Sequence, residues 1–447
     1  MQIENPSQSF GEKMVTKVRQ SPTIRLMLIG ILILILLIPS SMIQGLIYER
    51  QTNHDGAVNE ISDKWGRDQT ITGPILAVPY TETRIGEQGK TYTVKTYAYY
   101  LPDNLQVTGD MSSEKKHRGI YEAVLYTTKL KVKGDFSSGF MNVMPALPST
   151  ANLAEAKILV GITDVRGIRN KVAMQWNGTA LNAQPGVVDE ILNSGINFPL
   201  NNLNYDTGGS FEFDLELAGS QSLYFTPVGK NNMINIASNW PDPSFDGAFL
   251  PTNRSIDAKG FKADWKVLEL NRNIVHHWNG ENEKLRDSDF GVKMKIAADQ
   301  YQKTHRSVKY CVLFISLTFI FFFIIELKAR ISVHPVQYLL IGLAISIFYL
   351  LLLSLSEWME FNTSYFISAA AVTTLISLFS ISVLGNKLYS AMTAVIQVLL
   401  YLFLFTTLQL EDLSLLIGSI GLFLTLAILM YFSRRLNRED DSLPQAQ

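Results

Sequence analysis

Residue types able to do chemistry are present in this chain but stand far apart. His276 and His277 are adjacent and followed by Trp278. Two neighbouring imidazoles point in different directions on a helix or a strand, so a shared metal needs a special turn and further ligands at a recognised spacing. No such spacing surrounds them, and the pair is expected in a surface loop. His54-Asp55 and His117 are weaker candidates still. The nucleophile elbow G-x-S-x-G, the zinc motif H-E-x-x-H and the P-loop are missing. Cys311 is the one cysteine, which excludes an intramolecular disulfide and a multi-cysteine metal site. A catalytic group assembled only in space is invisible at this level. No catalytic residue, metal or cofactor is expected, and the chain is read as a non-enzyme.

Two other groups of residues stand out. The segment Ser238–Pro251 (SNWPDPSFDGAFLP) sets Trp240, Phe245 and Phe249 among three prolines. Proline fixes φ and removes a donor, so the segment reads as a rigid loop outside any ladder. Its rings either plug the end of a sheet or form a platform for a partner. The ionisable residues Glu326, His334 and Glu357 flank long apolar runs. They either pair (Glu326 with His334) or mark membrane interfaces.

The elements that must position these residues follow from composition. The chain has 447 residues, a formal net charge of −1 and 18% charged residues, against about 25% in an average soluble protein. The balance offers no basic excess for nucleic acid. The apolar residues are concentrated at the two ends. Leu26–Ile47 is long enough to cross a hydrocarbon core of about 30 Å as a helix, with Pro39 expected to kink it. It is long for a signal-peptide core and no A-x-A-like site follows, so it is read as an uncleaved anchor. Five further runs crowd the other end: Val308–Ile325, Val336–Leu355, Tyr365–Leu384, Tyr389–Leu408 and Leu413–Phe432. The last four hold no formal charge, as expected where a mid-helix charge costs about 2.5–3.5 kcal/mol.

Lys and Arg in the short connections set the orientation. Lys13, Lys17, Arg19 and Arg25 precede the first span; Lys328 and Arg330 follow the second; Lys387 follows the fourth; Arg434, Arg435 and Arg438 follow the sixth. The remaining turns carry only Glu357, Glu360, Glu411 and Asp412. Both termini are therefore expected in the cytoplasm, with residues 1–25 and 434–447 as cytoplasmic tails and residues 48–306 across the membrane. Within the spans, polar and small residues fall at helical steps: His334, Tyr338, Gly342, Ser346 and Tyr349 on the third, Thr373, Ser377 and Ser380 on the fourth, and Ser390, Thr393 and Gln397 on the fifth. Ser414, Gly418, Gly421 and Thr425 do the same on the sixth. Close helix packing is the default explanation; a polar route for a substrate is the alternative.

The stretch 48–306 has nearly balanced charge and period-two alternation in Thr91–Tyr100, Tyr121–Lys133, Lys157–Ile162 and Phe211–Leu217. Turn clusters separate these runs, and Asn177-Gly178 reads as a tight hairpin turn. A β-rich domain is expected, an antiparallel sandwich or large twisted sheet, inserted between the first and second spans. Asp55–Trp65 and Leu285–Thr304 are read as helical stalks and Met141–Ala154 as a linker or long loop. The expected architecture is thus a multi-pass helical membrane protein with six spans, 26–47 and five within 307–433.

The chain resembles the CreD family of bacterial inner-membrane proteins in Ile47–Arg50 (IYER), Gly73–Pro79 (GPILAVP), Asp164–Ile168 (DVRGI), Asn177–Thr179, Ser238–Pro251 and Ala298–Gln302. It does so above all in His334–Glu357, which opens HPVQYLLIGL and contains Gln337 and Tyr338. The resemblance implies a Gram-negative inner-membrane protein with a periplasmic domain, associated with envelope integrity and the response to stress. It carries over no catalytic residue. The expected role is a non-enzymatic membrane protein whose periplasmic domain binds envelope proteins, lipid or cell-wall components; a transporter or lipid-handling device is the alternative, ahead of a cell-wall enzyme. Beyond the lipid bilayer, neither the partner nor the oligomeric state is legible.

Overall fold

The computed structural model describes residues 22–410, apart from 86–89, 120, 138–149, 188–190, 201–207, 281–284, 295–299 and 330, together with 416, 418–421, 423, 427 and 430. The chain divides into two compact units, residues up to Asn53 with those from Ala298 on, and His54–Ala297.

The first unit is helical. Helix α1 (Pro22–Trp65) enters it, followed by α2 (Gln300–Lys309), α3 (Cys311–Ala329), α4 (Pro335–Ser356), α5 (Phe361–Leu384) and α6 (Lys387–Gln409). Among the described residues, five helices are long and apolar enough to cross a membrane. The sixth expected span, Leu413–Phe432, lies largely outside them, as do the two tails. The ends of these helices follow from local chemistry. His334 caps α4 by accepting the Val336 N–H at 3.3 Å, the Gln337 side chain accepts the His334 N–H at 2.8 Å, and Pro335 fills the first turn, where no amide donor is needed. Helix α5 ends on Gly385 at φ 61°, and Asn386 caps α6 through the Leu388 N–H.

The second unit is a sandwich of two sheets around one core. The nine-stranded sheet centres on β1 (Gln69–Ile85), with β2 (Thr91–Tyr100), β5 (Lys157–Ile162), β8 (Gln184–Pro185), β9 (Gly195–Pro199), β11 (Ser222–Thr226), β13 (Pro243–Gly247), β16 (His277–Asn279) and β17 (Phe290–Met294). The eight-stranded sheet holds β3 (Asn104–Arg118), β4 (Tyr121–Phe136), β6 (Ala173–Trp176), β7 (Thr179–Asn182), β10 (Gly209–Ser220), β12 (Asn231–Ser238), β14 (Asn253–Asp257) and β15 (Gly260–Leu268). Alternate residues turn inward: β10 buries Phe211, Phe213, Leu215 and Leu217 and exposes Glu212 and Asp214 between them. Rings meet across the layers, Phe198 with Phe213 at 5.8 Å and Trp265 with Phe290 at 5.7 Å, and Tyr126 Oη donates to the Ser222 carbonyl at 2.7 Å. Asn177 (φ 47°) and Gly178 (φ 81°) make the two-residue turn joining β6 to β7.

Four expectations need correction. The ladders are not all antiparallel, because β1–β11 and β3–β12 run parallel; alternation reports which face is buried, not strand direction. Leu285–Thr304 is not a helical stalk. Leu285–Ser288 is a single 3-10 turn and Phe290–Met294 is β17, wedged between β11 and β13; the described helix that follows is Gln300–Lys309. The segment Ser238–Pro251 is not free of ladders, since Pro243–Gly247 pairs with β17 as an edge strand, where a missing proline donor can face away from the ladder. His277 and Trp278 lie in β16 against β2 rather than in a loop. Asp55–Trp65 is helical, as the end of α1. Of Met141–Ala154, residues 141–149 lie outside the described residues.

Candidate functional site

The first candidate site forms at one end of the helical unit. Arg25 Nη1 donates to Glu326 Oε1 at 2.7 Å, Tyr338 Oη donates to Glu326 Oε2 at 2.9 Å, and the Val333 backbone N–H donates to Oε1 at 3.1 Å. The Glu326 side chain is 1% exposed and that of Arg25 20%. A carboxylate out of water is tolerated only when paired and hydrogen-bonded. Here α1 supplies the charge, α4 a phenol, and the turn after α3 an amide. Tyr338 is held edge-on by Phe319 at 5.3 Å and by Phe322.

His334 is not the partner of Glu326. Its Nδ1 is committed to the Val336 N–H, so the expected Glu326–His334 pair is replaced by Arg25–Glu326. Gln337 belongs to the same helix cap, not to the ionic site. Of the HPVQY run, only Tyr338 reaches Glu326.

Glu357 stands at the other end of α4, 3.6 Å from Arg50 Nε. Arg25 was legible only as a flanking charge and Arg50 only as the end of the Ile47–Arg50 run. The signal that joins them is periodic: Ile29, Leu36, Ser40, Ile43 and Ile47 are buried at helical steps between them, whereas Leu34, Ile38 and Met42 are exposed. Packing is tightest at Gly342, where a Cβ would run into Leu36 and Phe319.

The hydroxyl stripes are mostly closed on themselves. Ser346, Ser377, Ser380 and Thr393 donate to carbonyls four residues back, Gly342, Thr373, Ile376 and Tyr389, at 2.6–3.1 Å. Gln397 Nε2 crosses to Thr318 Oγ1 at 2.9 Å. Tyr349 lies fully buried beside the Cys311 thiol.

In the sandwich, the three aromatics of Ser238–Pro251 turn inward. Trp240 is 7% exposed with Nε1 on the Asp242 carbonyl; Phe245 meets Trp265 edge-on at 5.7 Å, and Phe249 meets Phe290 at 5.8 Å. The concavity of this unit is elsewhere. A groove of about 410 Å³ opens where β7 and β8 hand the chain from one sheet to the other, lined by Val165, Ile168, Val172, Ala183, Pro185 and Ile196, with Lys171 at its side. The Asn197 amide donates to the Gly186 carbonyl at 2.8 Å and holds the β8 turn. No motif marked this groove, because its residues are ordinary apolar ones gathered from three separate segments.

Burial sets the titration of two groups in this unit. Burial pushes the Asp289 carboxyl up to about 6, although the Thr226 hydroxyl donates to it at 2.5 Å. His276 is pushed down to about 4 by burial and by Lys230, against the nearby Asp103 carboxylate. Among the described residues, no cluster of three or more His, Cys, Asp or Glu side chains is arranged to hold a metal.

Comparison with known proteins now bears on both sites. The family described as inner membrane protein CreD matches residues 21–439. The chain belongs to the CreD family. It is 32% identical over 419 residues to the inner membrane protein CreD of Escherichia coli (strain K12), covering 92% of this chain and 93% of that protein. The CreD match runs through Arg25, Glu326, Tyr338 and Glu357 and through the groove. Family and structure agree on an inner-membrane protein whose apolar helices accompany a large β-rich unit.

Proposed function

We propose that this CreD-family chain is a non-enzymatic inner-membrane protein that supports envelope integrity and tolerance of envelope stress by binding an envelope component through its sandwich. In this reading both termini are cytoplasmic, six spans cross the membrane, and residues 48–306 lie in the periplasm, following the Lys and Arg bias of the short connections. The observation that carries the reading is the groove between β7 and β8. It is mostly apolar and lies where both sheets reach an edge strand.

The test is complementation of a deletion strain by full-length variants of matched abundance. Ala183→Trp and Val172→Asp are expected to lose growth under envelope stress, and photo-crosslinking from Asn182 to capture the bound component. If Ala183→Trp complements fully while one Ser→Ala or Asp→Ala change matches the deletion, the binding reading is wrong. The transport or lipid-handling alternative draws on a different observation, the polar atoms inside the helical unit.

A further inference from the structure

Three side-chain oxygens inside the helical unit are buried without a hydrogen-bond partner: Tyr401 Oη, Gln397 Oε1 and Ser390 Oγ. Their residues are 3%, 1% and 4% exposed. All three lie on one face of α6, at steps of seven and four. That face meets α3, through Gln397 on Thr318 and Tyr401 against Phe314 at 5.9 Å, and α4, through Tyr401 against Phe348 at 4.6 Å. Tyr349 follows Phe348, and its hydroxyl lies beside the Cys311 thiol, with the Ser40 and Ser346 hydroxyls at the same sulfur. From Ser390 to Tyr401 the seam rises about 16 Å, roughly half the apolar thickness of a bilayer.

A buried hydroxyl or amide left dry costs about 1–3 kcal/mol, and in hydrocarbon no solvent relieves it. Apolar residues of similar shape would pack there without that penalty. A bound water needs two to four polar partners. One end of the seam provides the phenols of Tyr349 and Tyr401 with Cys311 Sγ, and Gln397 Oε1 stands one turn from Tyr401; Ser390 Oγ lies two turns further, about 10 Å along α6. None of these groups is formally charged, so the seam suits a neutral ligand that both donates and accepts.

We propose that the seam between α3, α4 and α6 binds water, as a short file linking Ser390 and Gln397 to the Tyr401–Tyr349–Cys311 cluster. This goes beyond the groove reading and does not depend on it.

Cys311 is the one thiol of the chain, so the infrared S–H stretching band belongs to it alone. The full chain in phosphatidylethanolamine–phosphatidylglycerol nanodiscs, moved into D2O, is expected to convert that band to S–D while the helices remain folded. Tyr401→Phe is expected to shift the band and lower the unfolding midpoint, because it removes a partner of the water; Tyr349→Phe, which removes the direct bond to the thiol, is the control for a shift without water. Ser390→Ala, at the other end of the seam, is expected to lower the midpoint and leave the band in place. An S–H band that persists in D2O until the helices unfold overturns the proposal. So does a midpoint that holds or rises in Tyr401→Phe, which is the result for a hydroxyl buried dry.

Discussion

Arg25 and Arg50 share one face of α1, about 20° apart around the axis and about 37 Å apart along it. Each ends on a carboxylate of the helices it packs against, Glu326 at one end and Glu357 at the other. The apolar face between them therefore carries a charged contact at each end, close to the span of a bilayer with its interfaces. The two contacts differ in kind. Glu326 is sealed and triply hydrogen-bonded, whereas Arg50 is 47% exposed at 3.6 Å.

Loss of the Arg25–Glu326 contact is expected to be severe. Glu326→Ala leaves Arg25 without its carboxylate and Tyr338 and Val333 without an acceptor, which costs about 3–5 kcal/mol for a buried pair broken on one side. Glu357→Ala is expected to cost at most about 1 kcal/mol. Thermal unfolding in nanodiscs, with a double-mutant cycle against Arg25→Ala, separates the pair from the phenol bond.

Helix contact between α1 and α4 depends on the absence of a side chain at Gly342. Gly342→Val is expected to cost about 1–3 kcal/mol through overpacking against Leu36 and Phe319. Leu36→Ala in the same chain should recover part of that loss, and unfolding midpoints of the single and double variants check it.

Trp240 is a core residue of the sandwich, and Phe245 and Phe249 pack half-buried against that core. Trp240→Ala is expected to destabilise the sandwich by about 3–5 kcal/mol. Urea unfolding followed by tryptophan fluorescence reads this directly; a stable variant that loses only partner binding would restore the platform reading.

Acid stability of the sandwich should bear the marks of two buried groups. Asp289 titrates near 6 in the fold instead of 3.8, so its neutral form is preferred; its contribution is full below pH 3.8 and fades as pH rises through about 6. Asp289→Asn should flatten the stability curve between those values. His276 titrates near 4 instead of 6.5, so its contribution is full above pH 6.5 and is lost as pH falls toward about 4. His276→Gln should remove that loss. Unfolding midpoints across pH 3.5–8 decide both.

Much of this architecture was legible in the residues themselves. Long uncharged runs name membrane helices because hydrocarbon satisfies no backbone amide, and alternation such as FEFDLEL names half-buried strands because side chains repeat every two residues. Asn177-Gly178 set its own turn because the pair accepts positive φ. What only the tertiary structure decided were partnerships between distant positions. Glu326 takes Arg25 rather than the nearer His334, because the imidazole is occupied as a helix cap and α1 brings a guanidinium alongside. Phe290–Met294 became a strand because β11 and β13 offered ladders on both sides. The groove and the polar seam have no local signature: each gathers ordinary residues from separate segments, and spacing along one chain cannot report which surfaces packing brings face to face.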